Sequence, residues 1–208
     1  MNTPDPEIYI VDDDNSIRAW LNLFLQSAGY RTKAFASGRE FLQQGPPDGP
    51  ACLLLDVEMP ALDGPELQKR LLNLDWCLSI VFISATTSIP VTVEVLKTGA
   101  VDFLSKPFDT NLLLKSVAEA VERSRELYLQ KAEHEQRHKL LATLTERERE
   151  VLSWILTGKL NKQIADTLGI TERTVKAHRA NLMSKLKVDS VVELVLLADR
   201  AGVPKGRE

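Results

Sequence analysis

The chain has 208 residues, of which 44% are hydrophobic and 26% are charged, and it contains 10 glycines and 10 prolines. This composition is close to the globular average and excludes a disordered, collagenous or coiled-coil chain. Its two cysteines, Cys52 and Cys77, form no CxxC pattern, so we expect neither a disulfide framework nor structural zinc.

The beginning of the chain has neither the basic start nor the apolar stretch of an export signal. No window approaches the roughly 18 apolar residues that a membrane span needs. We therefore expect a cytoplasmic protein that has no membrane partner.

Charge is distributed unevenly along the chain. Residues 1–121 carry 9 basic and 16 acidic side chains, residues 122–143 carry 5 and 4, and residues 144–208 carry 12 and 9. An acidic front and a mildly basic rear predict two domains with different partners, and the basic one is the candidate for binding nucleic acid.

The front half alternates short apolar runs with stretches of helical periodicity, which is typical of a doubly wound α/β fold with a parallel sheet. Helices are predicted between five strands, over Ser16–Ala28, Pro65–Leu74 and Val91–Thr98. The predicted strands are Ile8–Val11, Arg31–Ala36, Cys52–Leu55, Ser79–Ser84 and Asp102–Ser105.

Residues 110–141 keep a helical pattern that no glycine or proline interrupts. The pattern predicts one long helix that docks on the sheet and then projects as a spacer. Its apolar stripe fades after Gln130, so a flexible charged linker beyond that residue is the alternative.

The rear segment shows helical periodicity only, which predicts a small all-α domain. A short turn with a glycine, Gly169–Thr171, separates the second and third of its helices, as in a helix-turn-helix. The four predicted helices are Glu146–Leu156, Asn161–Leu168, Glu172–Leu186 and Ser190–Arg200.

Acidic side chains follow two of the predicted strands. Asp12 and Asp13 follow the first strand and Asp56 follows the third. In a sheet of strand order 2-1-3-4-5 these two strand ends are neighbours at the switch point. Carboxylates gathered without a counter-charge repel one another, so the cluster indicates a site for a hard cation, most naturally Mg²⁺.

Ser84 and Lys106 end the two remaining strands at the same edge. Asp56 between them is a candidate nucleophile for phosphoryl transfer, with Lys106 neutralising oxygen charge and Ser84 donating a hydrogen bond. Each residue has an ordinary alternative, since an aspartate after a strand is often a helix cap and a lysine is often a solvated surface residue. Their joint placement at strand ends favours the functional interpretation.

Four segments carry a family resemblance: Val11-Asp12-Asp13-Asp14, Leu54 to Pro60 with Asp63-Gly64, Ile83-Ser84-Ala85 and Lys106-Pro107-Phe108. They resemble the receiver domain of bacterial two-component response regulators, over residues 6–122.

The resemblance implies a role for each site residue. Asp56 is the phospho-acceptor, and Mg²⁺, or Mn²⁺ in its place, is bound by Asp12, Asp13, Asp56 and the backbone carbonyl of Glu58. Ser84 is the switch hydroxyl, Phe103 is the rotating aromatic residue, and Lys106 binds phosphate next to a cis bond to Pro107.

The rear segment also resembles a known family. Leu144 to Leu152, Asn161 to Ala165 and Thr174 to Arg179 are similar to the LuxR-type helix-turn-helix, over about residues 140–201. The resemblance implies a DNA-binding domain over residues 142–208. With a receiver in front, the whole chain resembles the NarL/FixJ class and is closest to FixJ-like members. The class implies a helical linker over residues 123–141.

The predicted third rear helix has an apolar stripe of Val175, Leu182 and Leu186. Its opposite face presents basic, small and polar side chains, namely Arg173, Lys176, Ala177, Arg179, Ala180, Asn181 and Lys185. Such a face supplies phosphate affinity and permits close approach to bases in the major groove. The class implies that Lys176, Ala177 and Ala180 face bases, and that Lys162, Thr174, His178 and Arg179 contact phosphates. A solvated amphipathic helix is the ordinary alternative.

The combined expectation is a transcription factor switched by phosphorylation, and not an enzyme apart from self-catalysed phosphoryl transfer and hydrolysis at Asp56. The partners implied are a sensor histidine kinase, double-stranded DNA, a second copy when phosphorylated, and RNA polymerase. Activation of transcription is expected by family analogy only.

Two other classes of function compete with this one. A phosphohydrolase of the haloacid dehalogenase type also uses an aspartate nucleophile with an acid two residues later, but its metal-binding acids follow the nucleophile, whereas Asp12 and Asp13 precede Asp56. A regulator that binds only protein would be favoured if the rear domain failed to bind duplex DNA.

Overall fold

The computed structural model describes residues 3–86 and 88–206. The chain divides into two compact units, Met1–Lys131 and Ala132–Glu208. Among the described residues, no helix is both long enough and apolar enough to cross a membrane.

The first unit is built on a five-stranded parallel sheet of order β2-β1-β3-β4-β5, as predicted. Each strand lies within two residues of its predicted bounds at either end. The strands are β1 (Glu7–Val11), β2 (Arg31–Phe35), β3 (Ala51–Asp56), β4 (Leu78–Ser84) and β5 (Asp102–Ser105).

Helices cover both faces of the sheet, and this is why β3 is buried at every position. Leu53 and Leu55 belong to the core on one face, and Cys52 and Leu54 belong to the core on the other. The alternation follows from the two-residue period of a strand. The helices of this unit begin with α1 (Asn15–Ser27), α2 (Gly38–Gln43), α3 (Gly64–Leu72) and α4 (Ile89–Lys97).

Helix α2 is a finding that the sequence pattern did not predict. Its six residues bury Phe41 and receive a cap from the Ser37 hydroxyl, which accepts a hydrogen bond from the Glu40 backbone N–H at 3.2 Å. A segment of this length is too short to show helical periodicity, which needs a window of about 11 residues or more.

Helix α5 runs from Thr110–Ala142, and its residues after Lys131 belong to the second unit. The prediction of a long helix is therefore confirmed, and the helix continues past Gln130 to Ala142. The second unit continues with α6 (Glu146–Ile155), α7 (Asn161–Leu168), α8 (Glu172–Leu186) and α9 (Val191–Arg200), which share one apolar core.

Candidate functional site

Three carboxylates meet where β1 and β3 end. The two strands are paired with Val11 opposite Leu55, so Asp12 and Asp13 follow one strand where Asp56 ends the other. One oxygen of each of these three side chains lies within 4.8 Å of the others. Asp12 and Asp56 are buried, with 0% and 5% exposure, and Asp13 is exposed. A set of close carboxylate oxygens with one open side is suitable for a hard divalent cation.

Lys106 enters the same cluster from the end of β5. Its Nζ donates to Asp12 Oδ2 and to Asp56 Oδ1, and both distances are 2.7 Å. The peptide bond between Lys106 and Pro107 is cis, in agreement with the expectation from the resemblance. One ammonium group therefore serves two buried carboxylates, and Asp13 adds a third negative charge that it does not contact directly.

The electrostatics of the cluster raise the pKa of the Asp56 carboxyl group. Burial raises the pKa of Asp56, the charges of Asp12 and Asp13 raise it further, and the bond to Lys106 opposes the shift without cancelling it. Burial disfavours the charged form of Lys106, but its two carboxylate partners outweigh that effect and raise the pKa of its ammonium group. An added divalent cation would lower the cost of keeping these carboxylates ionised.

Asp14, which follows Asp12 and Asp13 in the chain, caps a helix. Its Oδ1 accepts from the backbone N–H of Ser16 at 2.7 Å and from that of Ile17 at 3.3 Å, so it is the N-cap of α1. The hydrogen bond from Ser16 is the main reason why the pKa of Asp14 is lowered. Its own backbone N–H donates to Asp12 Oδ1 at 2.9 Å and fixes that side chain.

The side chains of Ser84 and Glu58 lie beside Asp56 but make no hydrogen bond to its side chain. The Ser84 hydroxyl, 1% exposed, donates to the Thr86 carbonyl at 2.8 Å and accepts from the Thr86 N–H at 3.1 Å. The backbone N–H of Glu58 donates to Asp56 Oδ2 at 3.1 Å, and the Glu58 carboxylate accepts from the Thr86 hydroxyl at 3.3 Å. Phe103 is half-buried on β5 and packs against the core on the α3 and α4 face.

Gly64 is a supporting residue whose role only the structure explains. A Cβ at this position would lie 2.4 Å from the Asp56 carbonyl oxygen and 2.8 Å from Cε1 of Phe82. Its backbone N–H donates to the Val57 carbonyl at 2.9 Å. The first turn of α3 thus rests directly on the segment that carries Asp56.

In the second unit, α7 and α8 are joined by a tight turn at Gly169, which has φ +65°. Thr171 caps α8, since its hydroxyl accepts from the Thr174 backbone N–H at 3.1 Å. Val175, Leu182 and Leu186 bury the inner side of α8, as the sequence predicted. Its other side carries the residues proposed for DNA, apart from Lys162, which lies on α7.

Most of those residues are accessible. Two basic residues among them make polar contacts within the unit. Arg179 donates to Asn161 Oδ1 at 3.0 Å, and Lys176 forms an ion pair with Glu172 at 3.2 Å. The exposed members are Lys162, Lys176, Ala177 and Ala180, and the half-buried members are Thr174, His178 and Arg179.

Lys185 does not belong to this free basic face, where the sequence pattern had placed it. Its Nζ donates to Glu148 Oε2 at 2.7 Å and to the Thr143 carbonyl at 3.3 Å. Glu148 is 3% exposed and completes a capping box with Thr145 at the start of α6. Lys185 therefore balances a buried carboxylate of the domain core.

Comparisons with known proteins agree with both halves of this architecture. The response regulator receiver domain family matches residues 8–118, and the luxR family of bacterial regulatory proteins matches residues 142–198. Response regulator protein TmoT of Ectopseudomonas mendocina is 41% identical and aligns over 96% of this chain and 91% of its own length. Transcriptional regulatory protein FixJ of Azorhizobium caulinodans is 38% identical over 94% and 93% of the two chains.

A solved structure, that of the response regulator StyR, resembles the whole chain. It has a TM-score of 0.84 and 40% identity, and the match covers 95% of this chain and all of StyR. The receiver and luxR families consist of regulators, not enzymes. The chain belongs to the response regulators, and it is a transcription factor of that family with a LuxR-type helix-turn-helix for binding DNA.

Proposed function

We propose that a sensor histidine kinase phosphorylates Asp56, and that this modification promotes dimerisation and sequence-specific DNA binding. The observation that carries the proposal is the position of the Asp56 carboxylate, which is bonded to Lys106 at 2.7 Å and lies within 4.8 Å of carboxylate oxygens of Asp12 and Asp13. We assign residues 6–122 to the receiver, 123–141 to the helical linker and 142–208 to the DNA-binding domain.

The acidic cluster fits Mg²⁺, and Mn²⁺ as a substitute, because its donors are all carboxylate oxygens. Asp12, Asp13 and Asp56 would hold the ion together with the backbone carbonyl of Glu58. When bound, the ion supplies positive charge against the oxygens of the transferred phosphoryl group.

The bonds that form and break in the transfer belong to this chain and to the donor. An Asp56 carboxylate oxygen attacks the phosphorus of the kinase phosphohistidine, a P–O bond forms, and the P–N bond breaks as the imidazole leaves. Lys106 moves from Asp56 Oδ1 to a phosphoryl oxygen, because the Asp56 carboxylate loses its negative charge when it is phosphorylated. Hydrolysis of the same acyl phosphate by water resets the protein, so the chemistry is confined to its own side chain.

Ser84 and Phe103 would then carry the change to the surface. The Ser84 hydroxyl exchanges its bond with Thr86 for one to a phosphoryl oxygen, and the loop after β4 moves with it. Phe103 turns inward toward the space that this movement opens. The surface altered is formed by α4 and β5, and we assign the dimer contact to it.

Dimerisation would pair two α8 helices on half-sites about one DNA turn, roughly 10 base pairs, apart. Lys176, Ala177 and Ala180 would face bases, with Lys162, Thr174, His178 and Arg179 at phosphates. Arg179 already has a fixed orientation through Asn161, which reduces the entropy that it loses on binding a phosphate. The protein would act in the cytoplasm, where the chromosome lies, and activate transcription through contact with RNA polymerase.

The proposal is tested by incubating the full chain with Mg²⁺ and acetyl phosphate, with Asp56→Asn as the matched control. We expect a gain of about 80 Da, one phosphate, in the wild type only. Size-exclusion elution should shift to a dimer, and affinity for a selected operator should rise with it.

Three results would contradict parts of the proposal. No adduct, or an adduct on Asp56→Asn, would remove Asp56 as the acceptor. An adduct without a shift in elution would remove dimerisation, and a dimer with no gain in DNA affinity would separate the receiver from DNA binding.

A further inference from the structure

Two of the three histidines of the chain lie one turn apart on α5. The ring centroids of His134 and His138 are 4.3 Å apart and the rings are inclined by 58°. Both side chains are exposed, and they belong to the part of α5 that lies in the second unit. Spacing of four residues places two side chains on one face of a helix.

The ring nitrogens of the pair are available to a ligand. Neither ring makes a hydrogen bond or ion pair with any residue that the structure describes. The neighbouring residues Glu133 and Arg137 form an ion pair with each other, with an N–O distance of 3.4 Å, and not with the histidines. The two imidazoles are thus held close together only by the backbone of the helix.

We propose that His134 and His138 chelate a divalent transition-metal ion, with Zn²⁺ as the representative case. Imidazole nitrogen is a preferred ligand of zinc, copper and nickel, whereas magnesium prefers oxygen. The pair therefore differs in ion preference from the cluster of Asp12, Asp13 and Asp56, and the two sites would bind different ions in the same chain.

The site is a clip on a helix and not a catalytic centre. Residues 134–138 read His-Glu-Gln-Arg-His, the pattern of zinc-binding helices in metalloproteases. Catalytic zinc keeps three protein ligands. Among the described residues, the one group of three or more potential ligands is the aspartate cluster, so nothing completes a third ligand for the histidines. Water would fill the remaining positions.

The location gives the clip a structural effect. Residues 125–139 of α5 contain no buried side chain, so tertiary packing stabilises this stretch little. An ion that joins positions 134 and 138 ties together the two ends of one turn and favours the helical state of the segment.

Calorimetric titration of the full chain with Zn²⁺ tests the proposal, in an excess of Mg²⁺ that occupies the aspartate cluster. We expect one Zn²⁺ per chain, and a loss of affinity of roughly a hundredfold in His134→Gln and in His138→Gln, because the second bond to the ion is intramolecular. His178→Gln, which removes the remaining histidine, should bind as the wild type does. When Zn²⁺ is added, amide hydrogen exchange over residues 132–142 should slow in the wild type, but not in His134→Gln or His138→Gln.

A change of register provides the sharpest control. The double variant His138→Gln with Gln136→His keeps the number of histidines and puts the second one on a different face of the helix, so it should not bind. Wild-type affinity in either single variant or in this double variant would overturn the assignment. One ion per two chains, with elution as a dimer, would overturn the clip within one chain.

Discussion

The Lys106 ammonium nitrogen lies 2.7 Å from Oδ1 of Asp56 and makes an equally short bond to Asp12. Asp13 lies beside them and adds a third carboxylate, which Lys106 does not contact directly. The site therefore keeps an excess of negative charge in a partly buried setting. Under the proposed phosphorylation, a phosphoryl group on Asp56 would draw Lys106 away from at least one carboxylate.

Replacing Lys106 with methionine should separate metal binding from the response to phosphate. Loss of a unit charge beside the cluster should strengthen Mg²⁺ binding by about 1 kcal/mol, or roughly fivefold. The same variant should show no shift to a dimer with acetyl phosphate. Titration calorimetry and size-exclusion elution measure the two effects, with Lys33→Met as the charge-matched control. Unchanged Mg²⁺ affinity would contradict the electrostatic argument, and a full elution shift would contradict the phosphate role.

Asp56→Asn should stabilise the first unit at neutral pH in the absence of Mg²⁺. Burial and the neighbouring carboxylates raise the pKa of Asp56, so the folded state binds more protons there than the unfolded state, and stability falls as pH rises through that interval. The variant has no ionisable group at this position and so does not lose this stability. Its free energy of unfolding should exceed that of the wild type by on the order of 1 kcal/mol at pH 7.

Urea denaturation at several pH values provides the check on this gain. The difference between Asp56→Asn and the wild type should disappear below the unfolded-state pKa of aspartate, about 3.9, where the side chain is neutral in both states. Added Mg²⁺ should also reduce it, since the ion stabilises the wild type. Asp5→Asn, at an exposed site, should show none of this dependence. A gain that is constant with pH would contradict the linkage.

Gly64→Ala should destabilise the first unit by about 1–3 kcal/mol, the usual cost of inserting a methyl group into filled space. The new Cβ would meet the Asp56 carbonyl oxygen and the Phe82 ring, and neither can retreat without moving β3 or its core. Thermal unfolding measures the loss, and Gly64→Ser should lose at least as much. An alanine variant as stable as the wild type would show that the first turn of α3 can lift away from the acceptor strand.

Much of the fold follows from local patterns in the sequence. Central strands such as β3 and β4 are nearly all apolar because helices cover both faces of the sheet. This pattern can be recognised from the sequence alone. The order of the strands then brings Asp12, Asp13 and Asp56 to one edge. Periodicity could not reveal α2, which is too short to complete a pattern.

Side-chain partners were harder to foresee than positions. The sequence suggested that Lys106 serves a phosphate on Asp56, but its second bond, to Asp12, depends on how the end of β5 approaches that of β1. The sequence pattern assigned Lys185 to the DNA-facing side because it placed this lysine on the face opposite the apolar stripe of α8. Packing of α6 on α8 buries Glu148, and Lys185 donates a hydrogen bond to this buried carboxylate.

Glu148→Gln should destabilise the second unit at neutral pH. The hydrogen bond from Lys185, followed by that from the Thr145 backbone, lowers the pKa of Glu148. A depressed carboxyl pKa contributes stability that is present above the unfolded pKa and is lost as pH falls through the folded value. We expect a loss of about 1 kcal/mol, the usual value of such a cap, that shrinks in acid. Circular dichroism during urea unfolding should show it, and Glu146→Gln, which is exposed, is the control.

Two lysines of the DNA-facing surface should respond differently to substitution. Lys162 is exposed in the first turn of α7, and a phosphate contact there is indifferent to sequence. Lys162→Ala should therefore weaken specific and random duplexes alike and reduce the slope of log affinity against log salt by about 1. Lys176→Ala should instead weaken the operator by about 1–3 kcal/mol more than random DNA, because a base contact discriminates sequence.

Fluorescence anisotropy over a range of salt concentrations distinguishes these outcomes for the two alanine variants. Lys176 pairs with Glu172 in the free protein, so Glu172→Gln should release the lysine and strengthen DNA binding slightly. Equal loss on operator and random duplex for Lys176→Ala would make that residue a phosphate contact as well. In that case discrimination would depend on Ala177, Ala180 and the shape of the duplex, which is read through its deformation energy.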